Sequence, residues 1–454
     1  MEIKQLVDTY QEYDQKEITL IARTRNHRQG KAVNFLIVND GTTINDVQVV
    51  YKSDVKGFDS ISEARISSIV EITGIVNLTP GKQQEFEIQA TSLELLDQAV
   101  EDYPLQKKEH SPEFLREIAH LRARTKTFQS IFRIRSVAAF AIHEFFNKNN
   151  FVYVNAPIIT ENDAEGAGES FIVTTRTDGD YEQDFFGKKA ALTVSGQLNA
   201  ESYAQAFKKV YTFGPTFRAE NSHTSKHAAE FWMIEPEVAF NDLAQNIELI
   251  EAMVKYTINY LFENAKVELE FCEANLEEGL IAKLDNVRNS KFAINTYAQV
   301  IEILQKAVAD GHVFEESNIE FGLDLGTEHE RYICEVVNKC PTFVTNYPKD
   351  IKAFYMKQND DGKTVAAVDL LVPGIGELVG GSQREDDYDK LITRCKEMNI
   401  DPEELWWYND LRKYGYYKSA GFGLGFERLI MYVTGSANIR DVISFPRTPK
   451  NLSF

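Results

Sequence analysis

The chain has 454 residues and a formal net charge of −20, with 43% hydrophobic and 26% charged residues. These values are typical of a globular protein with room for two or three domains. The acidic start does not resemble a signal peptide, no apolar run is long enough to cross a bilayer, and the four cysteines form no Cys-x-x-Cys pair. The sequence therefore argues against a membrane protein and a structural zinc site, and predicts a cytoplasmic protein.

The acidic balance argues against nucleic acid as a partner, but the local charge distribution is uneven. Residues 18–39 contain Arg23, Arg25 and Arg28 and no acid, and residues 118–143 contain five basic Lys and Arg residues and no acid. Each stretch is either an RNA contact or a chance cluster on a solvated face.

The first hundred residues have the pattern of a small β-barrel. Short β-branched and apolar runs are separated by turn signals, and they lie at 18–23, 32–39, 47–51, 69–77 and 85–95. A helical turn is expected near 62–66. Five such strands favour an OB-type barrel, which binds single-stranded nucleic acid on one face. Phe35 is either a base-stacking residue there or part of the barrel core.

A polar connector at 104–125, with Pro104 and Pro112, is predicted to be a hinge between domains at 1–103 and 126–454. The second domain begins with apolar residues at helical spacing over 128–147. A strand at 151–154 and Pro157 follow. The sequence predicts that this domain is one large region of helices and strands.

The stretch "FRAENSHTSKHAAEFWMIEPE" at 217–237 predicts a β-hairpin around a basic loop. Strand alternation places Arg218 and Glu220 on one face of the outgoing strand, and Phe231 and Glu235 on one face of the return. An arginine fork, a ring and loop cations together fit a nucleotide triphosphate. Surface charges and core aromatics would give the same local pattern.

Two later segments supply carboxylates for a metal ion and a glycine-rich strand, which the hairpin does not provide. Asp369 and Glu377 flank a glycine-rich bend, and carboxylates near a triphosphate commonly bind Mg²⁺. In "AGFGLGFERL" (420–429), alternating glycines that include Gly425 let a flat ligand approach a strand before a helix that carries Arg428. A P-loop, a Rossmann fingerprint and a G-x-S-x-G elbow are all missing from the sequence, so the nucleotide site requires a different fold.

In these motifs the sequence resembles the class II aminoacyl-tRNA synthetases, and most closely the bacterial-type asparaginyl-tRNA synthetases. The helix and strand that end at Pro157 match the first motif of the class, the hairpin matches the second, and "GFGLGFERL" matches the third. "LTVSGQLNAE" (192–201) and "YPKDIKAFYMK" (347–357) also match. The resemblance implies an α+β fold in which an OB-fold barrel is joined to a class II catalytic domain, an antiparallel sheet flanked by helices.

The resemblance also implies a homodimer formed through the first motif, with ATP, L-asparagine and tRNA(Asn) as substrates and Mg²⁺ as cofactor. Arg218 and Arg428 are the expected catalytic cations. The implied contacts are ATP at Arg218, Glu220, His227, Phe231, Glu377, Gly425 and Arg428; Mg²⁺ at Glu377 and Asp369; asparagine at Glu165, Gln197, Glu235 and Arg384; and the anticodon at Arg25, Phe35 and Gln48. No role is implied for His223 and Lys226.

The choice between asparagine and aspartate depends on charge, because the two substrates have nearly the same shape. Glu235 can accept from an NH₂ group and would repel a carboxylate, whereas Arg384 can donate to the carbonyl of either. Aspartyl enzymes of this subgroup place a lysine where this chain has Ala200. A non-discriminating aspartyl enzyme, an enzyme that makes free asparagine and a catalytically silent RNA-binding relative remain alternatives.

Overall fold

The computed structural model describes residues 1–82, 84–161 and 170–454. The chain divides into two compact units, Met1–Ser130 and Ile131–Phe454. Among the described residues, no helix combines the length and the apolar character that a membrane crossing requires. The predicted domain limits at 103 and 126 stay predictions.

The first unit contains a closed five-stranded barrel with the strand order β1-β2-β3-β5-β4. Its strands are β1 (Glu17–Arg28), β2 (Asn34–Asn39), β3 (Val47–Tyr51), β4 (Ile69–Leu78) and β5 (Phe86–Asp97). Its helices are α1 (Ile3–Asp8), α2 (Phe58–Ile61), α3 (Pro112–Glu117) and α4 (Ala119–Arg122), with a 3₁₀ turn at Tyr10–Tyr13. Alternate apolar side chains such as Leu20, Val38 and Ile72 fill the interior, as the period-2 pattern predicts.

The helical turn lies at α2 and not at 62–66. Gly57 precedes it with φ of 89°, in the left-handed region that glycine favours. This glycine starts the helix earlier than the sequence pattern indicated.

Helix α5 (Lys126–Lys148) is the helix that apolar spacing predicted at 128–147. Within the second unit it buries Ile131, Ile134, Ala138, Ile142 and Phe145, which recur every three or four residues.

An eight-stranded sheet forms the centre of the second unit, in the order β12-β13-β14-β15-β16-β11-β10-β6. The strands of this unit are β6 (Val152–Tyr153), β7 (Ile159–Thr160), β8 (Ile172–Val173), β9 (Ala190–Leu192), β10 (Lys209–Phe217), β11 (Glu230–Ala239), β12 (Ala293–Thr296), β13 (Thr342–Pro348), β14 (Thr364–Val372), β15 (Gly376–Gln383) and β16 (Ser419–Gly425). Strands β7, β9 and β8 form a separate small sheet.

Helices accompany this sheet. They are α6 (Gln197–Phe207), α7 (Leu243–Asn264), α8 (Lys266–Asn275), α9 (Leu280–Asn289), α10 (Tyr297–Ala309), α11 (Thr327–Arg331), α12 (Tyr388–Glu397), α13 (Trp406–Lys413) and α14 (Phe426–Thr434), with a π-helical turn at Tyr332–Val337 and 3₁₀ turns at Tyr181–Gln183, Lys349–Ile351 and Ile439–Asp441. The sheet is antiparallel except at its edges, where β6 pairs with β10 and β12 with β13 in parallel. Both parallel pairs follow long crossovers that contain helices, which parallel pairing requires.

Candidate active site

The hairpin β10–β11 brings the predicted nucleotide-binding residues together. Thr212 lies opposite Glu235 in the register, and the Arg218 N–H donates to the carbonyl of Ala229 at 3.0 Å, one step beyond the paired strands. The Arg218 guanidinium lies 5.3 Å from the centre of the Phe231 ring. The hairpin therefore presents a cation and an aromatic face side by side, as strand alternation predicts.

A cavity of about 310 Å³ opens at this hairpin. Every predicted small-molecule-binding residue within the described chain lines it: Gln197, Arg218, Glu220, His227, Phe231, Glu235, Asp369, Glu377, Arg384, Gly425 and Arg428. Glu165 lies outside the described residues. The structure thus gathers residues that are more than 200 positions apart in sequence into one site.

The alternating glycines of β16 serve two different purposes. Gly423 and Gly425 line the cavity, and a Cβ at Gly423 would lie 2.8 Å from the Met233 methyl group. Gly421 does not line the cavity, because the carboxylate of Glu237 occupies the space that its side chain would fill. The expectation that all three glycines admit a flat ligand is therefore wrong for Gly421.

Glu235 is buried and held by neutral donors. The Gly196 N–H and the Thr212 hydroxyl donate to one carboxylate oxygen at 2.9 and 3.0 Å, and the Ser195 hydroxyl donates to the other. The Ser195 oxygen in turn accepts from the Gln197 N–H at 3.1 Å. These bonds fix the orientation of the carboxylate at the cavity wall.

Arg384 is held by Glu237, a residue for which sequence reasoning gave no role. Both side chains are almost fully buried, and the guanidinium donates to both carboxylate oxygens and to the Ser382 hydroxyl at 2.8 Å. Burial acts to lower the pKa of Arg384, but the Glu237 charge outweighs burial and raises that pKa. Arg384 is therefore a permanent, oriented cation. The sequence signal that could have identified Glu237 is its position two residues after Glu235, which places both side chains on the same face of the strand.

The predicted metal carboxylates have two neighbours that sequence reasoning missed. Lys352 donates to Asp369 at 2.6 Å, and Glu330 accepts the Glu377 N–H at 3.0 Å. Burial, with the nearby charge of Glu377, raises the pKa of Glu330 to about 7. Among the described residues no three acidic, His or Cys side chains form a complete metal site. A hard cation bound at Asp369 and Glu377 would therefore take further oxygens from its ligand.

Further basic residues line the cavity from helix α14 and from the hairpin loop. Arg428, near the start of α14, donates to the Glu377 carbonyl at 3.3 Å. Lys226 of the hairpin loop donates to the Ile375 carbonyl at 2.8 Å and lines the cavity, whereas His223 does not. Burial, reinforced by the charge of Arg428, lowers the pKa of His227.

Part of the second basic stretch is structural. Arg122 is fully buried and lies 4.4 Å from the centre of the Phe128 ring. Arg135 forms an ion pair of 2.7 Å with buried Glu427, which also accepts the Trp232 N–H at 2.8 Å. These two arginines are therefore engaged within the protein, and the choice between an RNA contact and a chance cluster remains a prediction for the other basic residues of 118–143.

In the barrel, Phe35 lies on the outer face of β2, half-buried and outside the core. The Arg28 guanidinium lies 4.7 Å from the centre of its ring. Gln48 of the neighbouring strand donates to Glu87 at 3.3 Å. Arg25 lies 3.8 Å from Asp46 in an ion pair and donates to the Arg124 carbonyl. Phe35 and Gln48 are accessible on neighbouring strands, whereas Arg25 is largely engaged within its own unit.

Comparison with known proteins shows the family to which the chain belongs. Residues 111–449 match the family of tRNA synthetases class II (D, K and N), and residues 18–96 match the OB-fold nucleic acid binding domain. The chain belongs to the class II tRNA synthetases. The match spans the hairpin, the glycine-rich strand β16 and the whole cavity.

Similar class II synthetases cover the full chain. An asparagine--tRNA ligase of Mycoplasma capricolum is 72% identical over 454 residues, which is 100% of both chains. One from Alkaliphilus oremlandii is 55% identical and covers 100% of this chain and 99% of its own length. The crystal structure of asparaginyl-tRNA synthetase from Pyrococcus horikoshii complexed with asparaginyl-adenylate is 34% identical, with a TM-score of 0.88, over 100% of this chain and 99% of that one.

Proposed function

We propose that this class II synthetase is an asparagine--tRNA ligase that makes asparaginyl-adenylate from ATP and L-asparagine and transfers asparagine to the 3′ end of tRNA(Asn). The observation that carries this proposal is the pairing of an oriented cation, Arg384, with a carboxylate held by neutral donors, Glu235, in the wall of one cavity. The cation can donate to a side-chain carbonyl and the carboxylate can accept from the adjacent NH₂. A carboxamide satisfies both groups.

The reaction has two steps in one cavity. The asparagine carboxylate attacks the α-phosphorus of ATP and pyrophosphate leaves. The 3′-terminal ribose hydroxyl of the tRNA then attacks the acyl carbon and AMP leaves. Arg218 holds the α-phosphate, and Arg428 with His227 holds the outer phosphates. These contacts position the reactants and stabilise developing charge, so no serine, cysteine or histidine nucleophile is required.

ATP and the amino acid are held by the remaining lining residues. Phe231 stacks beneath adenine, with Glu220 at the amino group of the base and Gly425 leaving room for the ring. Gln197 holds the α-ammonium of asparagine, because its side chain lines the cavity and its amide oxygen can accept from the ammonium. Glu165 stays a prediction for the same ammonium.

Asp369 and Glu377 would hold Mg²⁺. Their fit rests on the donor set, because both are carboxylates that line the cavity and Mg²⁺ is commonly bound by one or two carboxylates together with substrate phosphates. Bound there, Mg²⁺ would neutralise charge on the phosphates of ATP. Lys352 orients Asp369, and Glu330 fixes the backbone of Glu377.

Exposed apolar side chains of the second unit support a homodimer through the first motif. Phe140 on α5 is 68% exposed, and Val152 and Tyr153 of β6 are 39% and 44% exposed. A group of apolar side chains that stays in contact with water is typical of an interface.

Exchange of labelled pyrophosphate into ATP tests the activity. We expect exchange that depends on both asparagine and Mg²⁺ and that does not require tRNA. An enzyme that exchanged equally well with aspartate would instead be non-discriminating. Formation of free asparagine from aspartate and ammonia would identify the alternative enzyme that makes free asparagine. Absence of exchange with every amino acid would overturn the proposed function.

Replacing Phe35 with alanine tests the anticodon contact. We expect tRNA(Asn) to bind more weakly by roughly 1–3 kcal/mol, the usual contribution of one base stacked on an aromatic ring. Asparagine-dependent exchange should be unaffected. The matched control is Phe114→Ala, which removes another half-buried phenyl ring from the same unit, on α3. Equal tRNA affinity in the Phe35 variant and wild type, measured by filter binding, would contradict the contact.

A further inference from the structure

A buried ion pair lies behind the wall of the cavity. Arg412 of α13 donates to the carboxylate of Glu201 of α6 at 2.6 Å, and both side chains are fully buried. Tyr408 and Tyr416 donate to the same carboxylate at 2.8 and 2.7 Å. None of these four residues lines the cavity.

The pair is connected to the residues that face asparagine. Glu201 lies one helical turn after Gln197 on α6, and so on the same side of that helix. The Arg412 Nε–H donates to the carbonyl of Glu385 at 2.9 Å, and Glu385 directly follows Arg384. The charge of Glu201 acts on both Glu237 and Arg384. The ion pair is therefore close enough to act on Arg384, which lines the cavity, and on its partner Glu237.

Three buried carboxylates near Arg384 differ in their partners. Glu201 and Glu235 both lie close enough to Glu237 for their charges to act on it. Glu237 pairs with Arg384, and Glu201 pairs with Arg412. Among the described residues, Glu235 has only hydroxyl and N–H donors. Of these three carboxylates, Glu235 is therefore the one without a cationic partner in the described chain, and it is the one that would meet the substrate side chain.

We propose that Glu201 determines specificity from behind the cavity wall by neutralising Arg412, a cation that would otherwise offset Glu235 and admit an aspartate side chain. The inference rests on the proposed function. It makes Glu201 and Arg412 positioning residues, which set the charge that Glu235 presents without touching the substrate.

The test compares kcat/KM for asparagine and aspartate in pyrophosphate exchange. In Glu201→Gln, Arg412 becomes an unpaired cation, and we expect the asparagine-to-aspartate ratio to fall on the order of tenfold through a gain in aspartate activity. In Arg412→Gln, Glu201 becomes an unpaired anion, and the ratio should stay the same or rise. If the ion pair were merely structural, both variants would change the asparagine-to-aspartate ratio in the same direction. Changes in opposite directions would therefore support the proposal.

The double variant Glu201→Gln/Arg412→Gln removes both charges, so neither is left unpaired. It should recover the wild-type asparagine-to-aspartate ratio. This variant tests the proposal even if a single variant fails to fold. Tyr408→Phe is the matched control, because it removes one hydrogen bond to Glu201 and keeps its charge. An unchanged ratio in folded Glu201→Gln, or a relaxed ratio in the double variant, would overturn the proposal. Failure of the wild-type protein to exchange with asparagine would instead overturn the proposed function.

Discussion

Replacing Arg218 with alanine is expected to abolish formation of asparaginyl-adenylate while leaving the protein folded. Arg218 lies beside the Phe231 ring, and it is the cation that we propose holds the α-phosphate. Removing one charge-stabilising donor from an active site slows a reaction on the order of a hundred- to a thousandfold. The loss is larger here because the same side chain also positions ATP. Arg218 is only half-buried at the cavity, so its truncation removes little core packing.

Pyrophosphate exchange with saturating asparagine measures this effect, and thermal unfolding measures the integrity of the fold. The matched control is Arg288→Ala, which also removes an arginine that packs over a ring, that of Phe262, on a helix remote in sequence. Arg288 does not line the cavity, and its variant should keep wild-type exchange. Near-normal exchange in a folded Arg218→Ala protein would refute the assignment of the α-phosphate contact.

Replacing Glu235 with glutamine is expected to weaken the preference for asparagine over aspartate. At about 4 Å two like charges repel by roughly 4 kcal/mol at an effective dielectric constant of 20, and this repulsion is lost in the variant. Glutamine can also donate to a carboxylate. It keeps the size of glutamate and can remain bonded to the rotatable hydroxyls of Ser195 and Thr212. We expect the ratio of kcat/KM for the two amino acids to fall by at least about tenfold.

The comparison needs both amino acids in the same exchange assay. Glu230→Gln is the matched control, because it makes the same change on the same strand at a position outside the cavity. Aspartate activation should rise in the Glu235 variant and not in the Glu230 variant. Unaltered discrimination in Glu235→Gln, or efficient aspartate activation by the wild-type protein, would contradict this account of specificity.

The sequence alone predicted the elements whose formation depends on local patterns. Period-2 alternation and turn residues predicted the barrel strands, and helical spacing predicted α5. In the hairpin, alternation also predicted which side chains share a face, so Arg218, Phe231 and Glu235 were identified together before any fold was known. Their chemical roles came from motifs, since spacing by itself is equally compatible with surface charges and core aromatics.

Only the tertiary structure decided which charges pair. The ion pairs join residues that lie 147, 292 and 211 positions apart in the sequence, namely Arg384 with Glu237, Arg135 with Glu427 and Arg412 with Glu201. A local pattern shows that a side chain faces inward, but the partner depends on which strands become neighbours in the sheet and which helices cover them. Burial then makes pairing obligatory, because an unpaired charge in the interior is costly. For this reason the sequence predicted residues that line the cavity, whereas the ion pairs behind them became visible only in the folded chain.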